Sequence, residues 1–213
     1  MPPEAMGSWR RSSAPGVVIV GSHVRKTSAQ LEVLLREPGL AAVEVAVDRI
    51  EDDRTRLLDD VLLRIRQGHD QGLTPVIYTS RVERTIPDQS MRLAFGEQVS
   101  AVLMDIVRGL PVDISFLVSK GGITSNDVLS DGLALRSARV LGQILPGCSM
   151  VRCPADHPRF PDLPVVIFPG NVGSENALAE TLRRLDAKVF QEPRPARICS
   201  TDMGLPSRNP CPN

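Results

Sequence analysis

Aromatic residues are scarce in this chain: one tryptophan, one tyrosine and five phenylalanines make up 3% of its 213 residues. That shortage removes the stacking platforms on which single-stranded nucleic acid is held. An excess of one charge is lacking as well, since 25 Lys and Arg are balanced by 25 Asp and Glu. Without a basic stripe to neutralise a phosphate backbone, a nucleic-acid partner is not expected. Long hydrophobic runs are missing: none approaches the roughly 18–20 residues that span a bilayer. The start, from Met1 to Arg11, has no apolar segment of the secretory kind, so the chain reads as cytosolic. Cys148, Cys153, Cys199 and Cys211 form no C-x-x-C and have no histidine at ligand spacing. They read as buried or incidental thiols, and no metal site is expected.

Chemical signatures are absent in the same way. The sequence contains no G-x-x-x-x-G-K-[ST], no G-x-G-x-x-G, no G-x-S-x-G and no H-E-x-x-H. His69 reads as a solvated turn residue and His157 as part of an irregular connection, while His23 follows the first candidate loop. Asp52, Asp53, Asp59 and Asp60 read as the wet side of an amphipathic helix, and Asp127 as a helix cap. No acid–base pair for a hydroxyl nucleophile emerges, so no catalytic residue is assigned.

What is present is an alternation of short apolar runs and amphipathic stretches. Val17–Val20, Val43–Val47, Pro75–Thr79, Ile114–Val118 and Val165–Phe168 suit buried strands. Ala138–Leu145 and Met150–Cys153 suit two more, joined at the turn dipeptide Pro146–Gly147. Thr27 with Gln30, and Thr124 with Asp127, stand at the spacing of helix capping boxes. Leu57, Leu58, Val61, Leu62 and Ile65 give one face of a helix. Met91, Phe95, Val99, Val102, Leu103 and Ile106 give another, expected to pack into the core. A last helix carries Leu178, Leu182 and Leu185, and the polar stretch Ser80–Gln89 reads as a loop. The fold class is therefore α/β, a mostly parallel sheet with helices on both faces, in a single domain over residues 16–187. Residues 1–15 and the proline-rich 188–213 read as tails.

Parallel sheets place ligands beyond the carboxyl ends of their strands. Three such ends carry glycine or small polar residues: Gly21-Ser22, Gly121-Gly122 followed by Thr124, and Gly170-Asn171-Val172-Gly173. Glycine lets the backbone approach an anion, and free N–H groups at a helix start face it. A tight strand-to-helix turn accounts for each loop singly; their convergence on one edge favours a shared phosphate or nucleotide site.

Gly121-Gly122-Ile123-Thr124-Ser125, Gly142-Gln143-Ile144-Leu145-Pro146-Gly147 and Phe168-Pro169-Gly170-Asn171-Val172-Gly173, with Gly21-Ser22 ahead of them, resemble the C-terminal nucleotide-binding domain of the four-carbon acid sugar kinases. The likeness covers about residues 16–186. It implies ATP, with Mg2+, as the cofactor of a kinase acting on threonate- or erythronate-type sugar acids. By matching motif it implies nucleotide contacts at Ser22, Gly121, Gly122, Thr124, Gly170, Asn171 and Gly173. Ile123 stands where many members carry an acid in G-G-E-T, which puts a metal or ribose role at that position in doubt. The family's other, N-terminal domain, with the sugar-acid site and catalytic aspartate, is not in this sequence. The chain alone is then expected to be nearly inert, either working with a separately encoded sugar-acid domain or standing as a fragment of a longer kinase, with a homodimer as a further candidate assembly. A stand-alone, non-catalytic nucleotide-binding or scaffold module is the alternative. A dinucleotide-dependent enzyme is disfavoured by the missing fingerprint.

Overall fold

The computed structural model describes residues 9–81 and 88–186. In chain order they form β1 (Val17–Val20), α1 (Arg25–Leu34), β2 (Leu40–Val45), α2 (Ile50–Asp70), β3 (Thr74–Thr79), α3 (Gln89–Gly109) and β4 (Leu117–Lys120). There follow α4 (Gly122–Asp127), β5 (Arg139–Leu145), β6 (Cys148–Arg152), β7 (Pro164–Phe168) and α5 (Ala177–Leu185). The seven strands form one sheet in the order β2-β3-β1-β4-β7-β6-β5. The first five in that order run parallel, while β6 is antiparallel to both β7 and β5. The expected mostly parallel α/β sheet, covered on both faces, is what forms.

Side-chain alternation along β1 explains the two covers. Val17 and Ile19 face the layer of α2 and α3, with Leu57, Val61, Ile65, Val102 and Ile106. Val18 and Val20 face Leu31 and Leu34 of α1 and Leu178, Leu182 and Leu185 of α5. A strand buried on both faces has no room for polar alternation, which is why β1 reads Val-Val-Ile-Val.

Several boundaries differ from expectation. β2 starts earlier, at Leu40, and the chain bends into a short 3-10 turn at Val47–Arg49. β4 begins at Leu117 and runs through Ser119 and Lys120 into the glycine pair. Thr124 does not cap a helix: α4 already starts at Gly122, with Gly121 as its N-cap. Asp127 lies at the far end of α4 and accepts a hydrogen bond from Ser100 Oγ on α3. The first capping box fails in the same manner, since α1 is preceded by Val24 and Thr27 is buried within it. His69, expected in solvent, is buried beside Asp113, with Nε2 3.5 Å from Oδ1. In α3 the fully buried residues all lie in the second half, Phe95 and Val99 pack on the core only in part, and Met91 is 64% exposed. Asp88 caps α3 by accepting from Met91 N, and residues 82–87 of the expected loop lie outside the described residues.

Of the segment 1–15 read as a tail, residues 9–15 bind the domain. Arg10 donates to Asp186 Oδ1 at 2.6 Å and to the Ala14 carbonyl, and Arg11 Nε donates to the Ile114 carbonyl. Trp9 packs on the α1–α5 side of the core. The segment 188–213 lies outside the described residues.

Candidate functional site

Strands β1 and β4 are neighbours, yet the chain leaves them toward opposite faces: β1 leads to α1, and β4 leads to α4 beside α3. Such a divergence opens a crevice at the carboxyl edge of a parallel sheet. The turns after β1, β4 and β7 meet there. Gly21 N donates to the Lys120 carbonyl, and Gly121 N to the Phe168 carbonyl. Ser22, Gly121, Thr124 and Gly170 of the candidate set are thereby brought into mutual contact. A Cβ on Gly121 would lie 2.9 Å from Thr124 Oγ1 and 3.0 Å from Ser22 Cβ, and one on Gly170 would lie 3.1 Å from Ser22 Oγ.

The two glycines of the pair do different work. Gly121 has φ +127°, a conformation open to glycine, and turns the chain from strand to helix. Gly122 has ordinary helical geometry, so positive φ is no reason for a glycine there. A Cβ on Gly122 would meet nothing within 4 Å. The space in front of it is open to an incoming anion. Thr124, 8% exposed, closes the floor between Gly21 and Gly121 instead of facing that space.

Thr27 and Gln30, which the sequence suggested as caps, reach across to the turn after β7. Thr27 Oγ1 donates to the Gly170 carbonyl at 3.0 Å and lies 3.2 Å from Ser22 Oγ. Gln30 Nε2 donates to the carbonyls of Val172 and Ser174 at 2.9 and 2.7 Å. Gly173 has φ +80°, and a Cβ there would press on Ala177 at 2.5 Å, so this glycine serves the turn itself. Asn171 stands exposed at the tip. The turn is therefore held at the carbonyls of Gly170, Val172 and Ser174 and leaves Asn171 outward.

Two cations at the site escaped the sequence reading. Lys120 ends β4 and is fully buried; Nζ donates to the carbonyls of Pro169 at 2.6 Å and Gly170 at 3.0 Å and sits 4.1 Å from the Phe168 ring centroid. Burial pushes its pKa down to about 8, opposed by Cys148 and helped by Lys26. Arg81, at the end of β3, donates to the Ser22 carbonyl at 2.6 Å and to that of Val20 at 3.3 Å, and burial lowers its pKa. The available signal was a lysine ending the buried strand Leu117–Lys120 directly before Gly-Gly. His23 Nε2 lies 3.0 Å from Thr79 Oγ1, tying the first turn to β3. Arg25 and Lys26 are exposed in the first turn of α1. With their charge and that helix start, the crevice suits an anion of several negative charges. Among the described residues no helix is long and apolar enough to cross a membrane. Nor do three or more His, Cys, Asp or Glu gather there as a cluster that could hold a metal ion.

Solved structures share this fold. A protein described as a putative tRNA synthase from Salmonella typhimurium LT2 superposes with a TM-score of 0.66 at 20% identity, over 82% of this chain and 41% of that one. A DUF1537 protein from Haemophilus influenzae gives 0.62 at 16% identity, over 81% of this chain and 42% of that one. A DUF1537 domain of unknown function from Bordetella bronchiseptica, solved with bound citrate as a domain-swapped dimer, gives 0.64 at 16%, over 81% and 41%. This chain thus spans about two fifths of the length of these structures. No curated protein matches it. One family matches the sequence itself, over residues 17–178, from the first residue of β1 into α5. The chain belongs to the nucleotide-binding C-terminal domain family.

Proposed function

We propose that this chain is the ATP-binding half of a four-carbon sugar-acid kinase, phosphorylating threonate- or erythronate-type substrates together with a sugar-acid-binding lobe. The observation that carries the reading is the contact among the turns holding Ser22, Gly121 and Gly170, with open space before Gly122. An ATP triphosphate fits the donor set: cations at Arg25 and Lys26, a helix start, and a glycine edge that a side chain would fill. Mg2+ is expected to arrive on the phosphates, as it commonly does with one or two carboxylates completing its shell. Ser22, Gly121, Gly122, Thr124, Gly170, Asn171 and Gly173 are the proposed nucleotide-site residues, with Thr124 acting by closing the floor between the turns.

Phosphoryl transfer depends on positioning both reactants and on stabilising charge between them. This chain's residues account for one half of that, the grip on the nucleotide. Loss of a general base alone costs about 10²–10⁴ in rate, and an unpositioned hydroxyl costs more. The test is to incubate the purified chain with ATP, Mg2+ and threonate or erythronate, with and without a separately expressed sugar-acid domain. Turnover only on mixing is expected; robust turnover by the chain alone overturns the half-enzyme reading. ATP binding without turnover in either arm favours the stand-alone nucleotide-binding module. A cytosolic setting, where ATP is plentiful, goes with either reading. A homodimer is proposed alongside, on the example of the dimeric Bordetella domain, and light scattering of the purified chain tests it.

A further inference from the structure

The turn after β7 has its carbonyls held from inside. Those of Pro169 and Gly170 receive Lys120 Nζ, that of Gly170 also receives Thr27 Oγ1, and those of Val172 and Ser174 receive Gln30 Nε2. All three donors are fully buried side chains from β4 and α1. In a trans peptide the C=O and the following N–H point in opposite directions. Four carbonyls drawn inward therefore turn four N–H groups outward: those of Gly170, Asn171, Gly173 and Glu175. None of these four finds an acceptor among the described residues. Asn171, Gly173 and Glu175 are at the surface.

Backbone N–H groups rarely go unmatched without water or a ligand to receive them, and consecutive ones in a turn form an anion-binding concavity. Gln30 adds a second sign of purpose. Its amide nitrogen serves both carbonyls, while its buried Oε1 has no partner among the described residues. Leaving that oxygen unmatched costs stability, and the geometry gained is the fixed orientation of the turn.

We infer that Lys120, Thr27 and Gln30 are positioning residues that aim the N–H groups of Gly170, Asn171 and Gly173 at the polyphosphate of the bound nucleotide. The inference rests on the nucleotide-binding reading above and deepens it, by separating the phosphate-holding turn from the residues that set it. None of the three touches the nucleotide; each acts through the backbone. Lys120 differs from the other two in carrying charge, placed on the carbonyl side of the peptides whose N–H ends face outward.

The experiment compares wild type with Lys120→Met and Thr27→Val, two replacements close in volume that remove a donor. Calorimetry with ATP, pyrophosphate and adenosine separates the phosphate share of affinity from the base share, and apo melting temperatures are followed alongside. Each variant is expected to bind pyrophosphate and ATP roughly tenfold or more weakly, about 1.4 kcal/mol, and adenosine as wild type does. A merely structural role would lower the melting temperature and weaken all three ligands in parallel. Wild-type amide spectra should show Gly170, Asn171 and Gly173 shifting under pyrophosphate. If Lys120→Met does not fold, Thr27→Val and these amide shifts carry the decision. Wild type that binds ATP, with both variants unchanged or with those amides unmoved, overturns this inference and leaves the nucleotide site standing. Wild type that binds neither ATP nor pyrophosphate overturns both.

Discussion

Gly21 and Thr124 stand so close that a Cβ on Gly21 would lie 2.4 Å from Thr124 Oγ1, with Leu103 Cδ1 at 3.0 Å behind it. The turns after β1 and β4 therefore touch through a hydrogen atom on one side and a hydroxyl on the other. Gly21→Ala is expected to cost about 1–3 kcal/mol through overpacking. The double variant Gly21→Ala/Thr124→Ala, which removes the clashing hydroxyl, should recover a large part of that loss. Urea unfolding of the two variants checks it; a double variant no more stable than Gly21→Ala contradicts the contact.

The glycine pair gives a second prediction. Gly122→Ala should leave the fold unchanged or firmer, since alanine favours a helical position by up to about 1 kcal/mol. Gly121→Ala should destabilise, because φ +127° is strained for any residue with a side chain. Gly122→Val should keep its melting temperature yet bind ATP more weakly, by filling the open space. A Gly122→Val variant with wild-type ATP affinity removes the nucleotide from that part of the crevice.

The third concerns pH. Lys120 in the free protein has its pKa near 8, with Lys26 and Cys148 the charged or titratable groups acting on it and burial the main cause. A bound polyphosphate favours the protonated amine and raises that value. The contribution to affinity is therefore full below about pH 8 and fades as pH rises through the higher, bound-state pKa. Measured between pH 7 and 10, ATP affinity should fall more steeply for wild type than for Lys120→Met. Parallel curves contradict the coupling.

The fourth tests the N-terminal strap. Arg10 and Asp186 pair at 2.6 Å with side chains 11% and 4% exposed. Breaking a buried pair from one side leaves the other charge stranded, at about 3–5 kcal/mol. Arg10→Ala should destabilise on that scale, and Arg10→Ala/Asp186→Ala by clearly less. A double-mutant cycle in urea gives the coupling, and additivity sinks it.

Most of the sheet was legible because its strands are apolar on both faces and its helices carry regular stripes. One cause recurs among the misreadings: side chains with a local role by spacing were recruited by distant parts of the chain. Thr27 and Gln30 have cap spacing, but they meet the carbonyls of Gly170, Val172 and Ser174, more than 140 positions away. Thr124 has it too and fills the gap beside Gly21. Met91 continues a helical stripe whose first turn stays exposed, so periodicity overstated the core. Lys120 was hidden because its hydrogen-bond partners, the Pro169 and Gly170 carbonyls, lie in the turn after the neighbouring strand β7. The nucleotide loops themselves were visible, since glycine and serine at three strand ends mark where a backbone must come close.

The place of β1 inside the sheet, between β3 and β4, bears on how the molecule assembles. Its Val18 pairs with Val76 and its Val17 with Leu117, one hundred positions later. β4 in turn pairs with β7, Leu117 against Val165. The centre of the sheet is thus closed by loops of great sequence length, while the local pairings, β5 with β6 and β6 with β7, lie toward one side. Such topologies fold slowly, because long-loop entropy is lost before any pairing repays it. During synthesis β1 emerges with both edges bare and must wait for β3 and β4, an interval in which an unpaired apolar strand invites association with other chains. Chaperone demand and aggregation on rapid expression follow from that strand order, and slower synthesis at low temperature should raise the yield of folded protein.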